Sequence, residues 1–174
     1  MAVRILRPKR RRLVSLLITI GLIALLVSIF LPSYTRYRAE REFRTETWNL
    51  NRIGMGVFLY SRDHEGKLPQ SLGEMVGPYF EEMPVSPRAK RLGRCPSTGG
   101  PAGGFVYLRP AEKLDAIVSP ALAVMAYTPL AYHEDTGMTV LFCDGHCEWI
   151  DRAAAQALLG KLQAGDNPPR ARGE

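Results

Sequence analysis

A chain of 174 residues with a mean hydropathy of −0.10 and a formal net charge of +6 has room for one modest domain beside a membrane segment, and too little for two large ones. The positive balance suggests nucleic-acid binding until it is located: Arg4, Arg7, Lys9, Arg10, Arg11 and Arg12 supply it, no acid precedes Glu40, and beyond Arg12 basic and acidic side chains are equal in number. A neutral remainder excludes a general nucleic-acid binder, and a basic cluster abutting an apolar run is a topology signal that also contacts anionic lipid.

Residues 1–12 form this basic segment and residues 13–35 the predicted transmembrane helix. Leu13 to Leu31 contains no charged residue, none occurring between Arg12 and Arg36, and at about 1.5 Å per residue it spans the roughly 30 Å hydrocarbon core of a bilayer. The run exceeds the apolar core of a cleaved signal peptide, about 7 to 15 residues, and ends in Phe30-Leu31-Pro32-Ser33-Tyr34 without an Ala-x-Ala site. It reads as an uncleaved single-pass anchor, with the N-terminus cytoplasmic and residues 36–163 as a domain outside.

Pro32 predicts a bend without requiring an end to the helix. Phe43, Thr47, Leu50, Gly54 and Val57 recur at helical spacing, widened by Ile53, Phe58 and Tyr60, so an amphipathic helix extends to about residue 62. Its charged first turns, Arg36 to Glu46, read as a solvated face, Trp48 as a packing residue, and Tyr34 as a ring at headgroup level. Gly66, in a left-handed conformation, and Pro69 end the helix. Ser71 with Glu74 has capping-box spacing and predicts a short helix. The segment 84–104, rich in proline and glycine, reads as a long surface loop carrying Arg88, Lys90, Arg91 and Arg94.

The pattern then becomes extended, with a sheet over about 105–150. Phe105 to Leu108 and Ala121 to Tyr127 are predicted strands, followed by Thr139 to Cys143 and His146 to Ile150 around Asp144-Gly145, a two-residue hairpin signal. Asp151 is a good N-cap for a final helix over 151–163, ended by Gly165, and 164–174 reads as a disordered tail.

Three stretches share a likeness. Leu50-Asn51-Arg52-Ile53-Gly54-Met55-Gly56-Val57-Phe58-Leu59-Tyr60 runs into Asp63-His64-Glu65-Gly66-Lys67-Leu68-Pro69; Arg94-Cys95-Pro96-Ser97 follows; and Val140 to His146 holds the Asp-Gly-His hairpin. In order and spacing the chain resembles type IV pilin-like and type II secretion pseudopilin-like proteins, in particular those with a processing-associated His…Asp-Gly C-terminal domain. The resemblance implies an α+β pilin-like fold, a long N-terminal transmembrane and amphipathic helix packed on a small antiparallel sheet. It implies a structural or accessory subunit, not an enzyme, in a bacterial inner-membrane assembly. The membrane, and further copies of itself or other pilin-like subunits met through the N-terminal helix, would be its partners; the residues themselves point to no cofactor and no nucleic acid. Two features depart from the family. Arg12-Leu13-Val14-Ser15-Leu16-Leu17 offers neither the Gly nor the Glu of the prepilin peptidase site, and the cysteine placed by the family near Glu46 is absent.

For chemistry, Cys143-Asp144-Gly145-His146-Cys147 gathers metal-donor types, with Cys95 and His133 as further donors, although structural zinc sites use paired Cys-x2-Cys spacings that are absent here. In an oxidising exterior a disulfide from Cys95 to Cys143 or Cys147 competes for the same thiols. A two-residue turn at Asp144 and Gly145 sends Cys143 and Cys147 to opposite faces, whereas a three-residue turn including His146 places them opposite each other. Two other functional classes stand beside the structural one: a tethered domain whose basic loop recognises an acidic envelope ligand, and an anchored thiol or metal enzyme. Asp63, Glu65, Glu81 and Glu82 lack calcium-loop spacing and read as solvated.

Overall fold

The computed structural model describes residues 8–92, 102–133 and 136–167. Two compact units result, one up to Arg41 and one from Glu42 onward. The first consists of the N-terminal stretch of helix α1 (Pro8–Asp63), which continues through position 32 without interruption. Its large apolar side chains from Leu16 to Leu31 are each between 52% and 66% exposed. Hydroxyls in this stretch bond back to their own helix, Thr19 to the Ser15 carbonyl and Ser28 to the Leu25 carbonyl, so they offer little to water. Among the described residues no helix is long and apolar enough to cross a membrane; the side chains described in this run are those from Ser15 to Leu31.

The second unit is α+β. A four-stranded antiparallel meander, β1 (Val106–Tyr107), β2 (Val124–Tyr127), β3 (Gly137–Phe142) and β4 (Cys147–Asp151), has the order β1-β2-β3-β4. It lies between the C-terminal part of α1 and helix α3 (Arg152–Gln163). Side chains alternate along β3 and into the turn that follows: Leu141, and Cys143 just beyond the strand, join Leu50, Ile53 and Val57 of α1, while Met138, Val140 and Phe142 meet Ala155 of α3. Covered on both faces, β3 is buried at every residue and reads in sequence as a continuous apolar run. Each of Leu50, Ile53 and Val57 is wholly buried, which stabilises the fold by roughly 1.5–3 kcal/mol per side chain. Gly56 admits the Phe80 ring, since a Cβ there would lie 2.4 Å from Phe80 Cζ.

The ends of the helices follow their sequence signals. Gly66 at φ 82° donates its N–H to the Ser61 carbonyl (2.8 Å) and closes α1. The Asp151 carboxylate accepts from the Ala154 N–H (2.9 Å) and caps α3. Elsewhere the structure corrects the expectations. The 84–104 loop contains helix α2 (Pro87–Arg91), capped by the Ser86 hydroxyl and started by proline at its first position. Leu72–Met75 is a 3-10 turn whose preceding Ser71 makes no cap bond; Glu74 instead accepts from the Gln70 N–H and the Tyr60 hydroxyl, each at 3.1 Å. Trp48 does not pack inside but is 60% exposed beneath the Arg52 guanidinium.

The hairpin also differs. Phe142 N–H donates to His146 O and Gly145 N–H to Phe142 O, each at 3.0 Å, so the loop is Cys143-Asp144-Gly145. Of these three, Gly145 alone has positive φ, 94°, whereas the expected two-residue turn needs it at both Asp144 and Gly145; the three-residue turn with a glycine bulge results. The first residues of the predicted tail are ordered: Gly165 (φ 79°) turns the chain and Asn167 bonds to β2. The remainder, 168–174, lies outside the described residues.

Candidate functional site

The main concentration of buried polar side chains centres on Glu46, which is 0% exposed. One turn of α1 earlier, Glu42 begins the same ladder, since residues four apart share a helix face. Above them Ser86 and α2 bring a hydroxyl and two guanidinium groups. The Ser86 hydroxyl donates to Glu46 Oε1 (2.9 Å) and its oxygen accepts from the Ala89 N–H (3.4 Å). Arg88 Nε lies 3.5 Å from Glu42 Oε2 and 4.0 Å from Glu46 Oε1, and Arg91 Nη1 donates to Glu42 Oε1 at 2.6 Å. Two carboxylates thus face two guanidinium groups, the charge balance that a buried cluster requires.

From the other side comes His133, 1% exposed at the end of the 3-10 turn Leu130–His133. Its Nε2 is 3.0 Å from Thr128 Oγ1 and 3.1 Å from Glu46 Oε2. The Glu46 contact is close in distance but lacks hydrogen-bond geometry, and His133 Nδ1 has no hydrogen-bond partner among the described residues. The tautomer with its proton on Nε2 leaves no buried ring N–H unpaired and is assigned on that basis. Thr128 Oγ1 also accepts from the Thr139 N–H (3.0 Å), which couples the histidine to β3. Trp149 closes the cluster edge-on, with ring centroids 4.9 Å from His133 and 6.0 Å from Phe43. Gly137 makes room for it, since a Cβ there would lie 2.4 Å from the Ile150 carbonyl oxygen and 2.6 Å from Trp149 Cζ2.

Serine, carboxylate and histidine are all present, but the carboxylate stands between the other two, and the hydroxyl that meets the imidazole, Thr128 Oγ1, is fully buried and already bonded to the Thr139 N–H, which suits a structural role. The arrangement ties α2 and the His133 turn to α1. Glu46 and its neighbour Glu42 belong to the run that reads as solvated in sequence, so the structure corrects that reading. The basic loop is corrected likewise: Arg88 and Arg91 face Glu42, Lys90 is exposed, and Arg94 lies outside the described residues.

Of the five proposed donors, the four that are described do not converge. His133 belongs to the Glu46 cluster, Cys143 to the core against α1, and Cys95 lies outside the described residues. The Cys147 thiol donates to Asn51 Oδ1 (3.1 Å). Cys143 and Cys147 both pack on the α1 side of the sheet as free thiols, Cys143 within the turn itself. Neither the opposite-face nor the facing arrangement expected from sequence is found, and the pairings with Cys95 fall outside the described residues. Burial pushes the Cys143 thiol up to about 12, with the neighbouring Asp144 charge adding to it, and burial pushes Cys147 up to about 11. Asp144 Oδ1 accepts from both the backbone N–H (3.1 Å) and the Nδ1 (2.5 Å) of His146. Partial desolvation raises the Asp144 carboxyl, and these bonds outweigh it, holding the group below its ordinary range. Among the described residues no three His, Cys, Asp or Glu side chains are placed to hold a metal ion.

No sequence signal identifies Glu46, because its partner Ser86 is 40 residues away and nothing local distinguishes it from the other acids of the run. Comparison with protein-family models, with curated proteins and with solved structures finds no match.

Proposed function

We propose that this chain is a membrane-anchored, pilin-like structural or accessory subunit of a type II secretion-like or pilus-like envelope assembly. One observation carries the reading: from Ser15 to Leu31, α1 presents large apolar side chains on every face, exposed and without a charged residue, while from Glu42 on the helix is the spine of an α+β domain. An all-round apolar helix needs hydrocarbon or other helices around it, because burying each such side chain stabilises by roughly 1.5–3 kcal/mol. With Leu13 and Val14 the run approaches bilayer thickness, and the basic cluster before it favours a cytoplasmic N-terminus and an exterior domain. The Glu46 cluster then serves rigidity: it fixes the α2 segment on the spine, so that the domain presents one surface to its neighbours.

Crosslinking in intact membranes tests this, with a photoreactive residue at Leu22. The subunit reading predicts ladders of adducts, with itself or with other small membrane proteins, joined through α1. A monomer that forms no adducts at any expression level would overturn it in favour of the tethered binding domain.

A further inference from the structure

We infer that the cleft between α1 and the segment 81–85 is a binding site for a short zwitterionic peptide. The segment runs along the helix in the opposite direction. The Phe80 ring fills the space left by Gly56, Asn49 Nδ2 donates to the Val85 carbonyl (2.9 Å), and the Ser86 hydroxyl reaches Glu46. Between these anchor points lies a cleft of about 540 Å³, lined by Asn49, Arg52, Glu81, Glu82 and Lys90 among others, a volume within the range of small-ligand sites. Asn49 is 6% exposed. Its side chain makes one hydrogen bond among the described residues, from Nδ2, which fixes the amide and leaves Oδ1 without a protein donor. A polar atom on a side chain this deeply buried requires a partner, and the cleft is where one can stand.

The charges around Asn49 define what that partner is. Arg52 is steadied by Trp48, its guanidinium carbon 4.9 Å from the ring centroid, a contact that orients the group while leaving its N–H donors open to a carboxylate. Among the described residues Arg52, Lys90, Glu81 and Glu82 form no ion pair, either with one another or with any other side chain. Two cations and two carboxylates therefore line one cleft without neutralising each other. A phosphate or polyanion would meet the two carboxylates, a polyamine or divalent cation would meet the two cations, and an apolar ligand would strand all four charges. A molecule that carries both a carboxylate and an ammonium satisfies both pairs: Arg52 and Lys90 take the first, Glu81 and Glu82 the second. The free Asn49 Oδ1 adds an acceptor for a peptide N–H, which a single amino acid lacks and a short peptide supplies.

The test is titration of the full chain in detergent micelles with trialanine, read by the chemical shifts of the Trp48 indole N–H and the Asn49 side-chain amide. Trialanine is expected to move both signals, and to bind at least tenfold more tightly than N-acetyl-trialanine or trialanine amide, each of which lacks one of its charges. Two variants localise the effect: Arg52→Met, which keeps an apolar stem over Trp48, and Glu81→Gln combined with Glu82→Gln at exposed positions. Each should weaken trialanine binding at least tenfold while the domain unfolds as in wild type. No response to trialanine, equal affinity for the blocked peptides, or undiminished binding in both variants would overturn the site. A response to the neutral disaccharide cellobiose without one to trialanine would overturn the peptide as its occupant. None of these residues lies in the apolar stretch of α1, so the outcome is separate from that of the crosslinking.

Discussion

Two stretches of α1 invert the usual relation between composition and burial. From Ser15 to Leu31 the helix is apolar and its large side chains are exposed, whereas from Glu42 it is charged and buries Glu46 completely. The difference lies in what each stretch has been given as a partner. The second is covered by the sheet, Ser86 and α2, and the His133 turn, which together balance its charges. The first stays exposed among the described residues, and under the proposed function its partner is supplied from outside. An exposed apolar stretch is therefore the informative feature here.

The largest effect should come from removing the carboxylate on which the second stretch depends. Glu46→Ala leaves Arg88, the Ser86 hydroxyl and His133 facing an empty position, and a loss of about 3–5 kcal/mol follows from breaking a buried charge cluster. Glu46→Gln keeps the Ser86 bond and should lose less. Chemical denaturation of wild type and the two variants in micelles checks both, and a Glu46→Gln stability equal to that of wild type would show that the charge contributes nothing. A smaller loss, about 1–3 kcal/mol, is expected for Gly137→Ala, whose Cβ would press on the Ile150 carbonyl and the Trp149 ring. Its signature is a change in Trp149 fluorescence that Glu46→Gln does not produce.

The core along α1 was legible because it is local. Leu50, Ile53 and Val57 repeat at helical spacing, Gly66 and Asp151 mark ends by their own backbone chemistry, and β3 reads as an apolar run. The site was not legible, because a buried carboxylate is defined by partners that folding brings from Ser86, Arg88 and His133. Composition also misled. Pro87 adds to the loop composition of 84–104, although Ser before Pro is a helix-start signal. The hairpin residues were visible but the turn type was not, since Asp-Gly suits both a two-residue turn and a three-residue turn ending in glycine.

The thiols give a milder check on the packing of the second stretch. Cys143 and Cys147, pushed up to about 12 and about 11, stay protonated at pH 8 and should alkylate far more slowly in the native chain than in the denatured one. Raised values favour the neutral folded form, so their contribution to stability is complete below the ordinary thiol pKa, roughly 8.5. It is lost as pH climbs through 11 and 12. Denaturation midpoints that fall between pH 8 and pH 10.5, with the fall reduced in Cys143→Ala, would agree; rapid native alkylation at pH 8 would contradict the buried placement.

The most direct measurement is flotation of the full chain with phosphatidylglycerol and phosphatidylethanolamine liposomes after detergent removal, in high salt, for wild type and Leu22→Arg. A charge at the centre of a span costs about 2.5–3.5 kcal/mol of insertion, while an exposed site on α1 outside the folded domain should leave that domain's unfolding within about 0.5 kcal/mol. The account predicts that wild type floats, that Leu22→Arg floats much less, and that both unfold alike. Wild type remaining at the bottom of the gradient, folded and lipid-free, would contradict it.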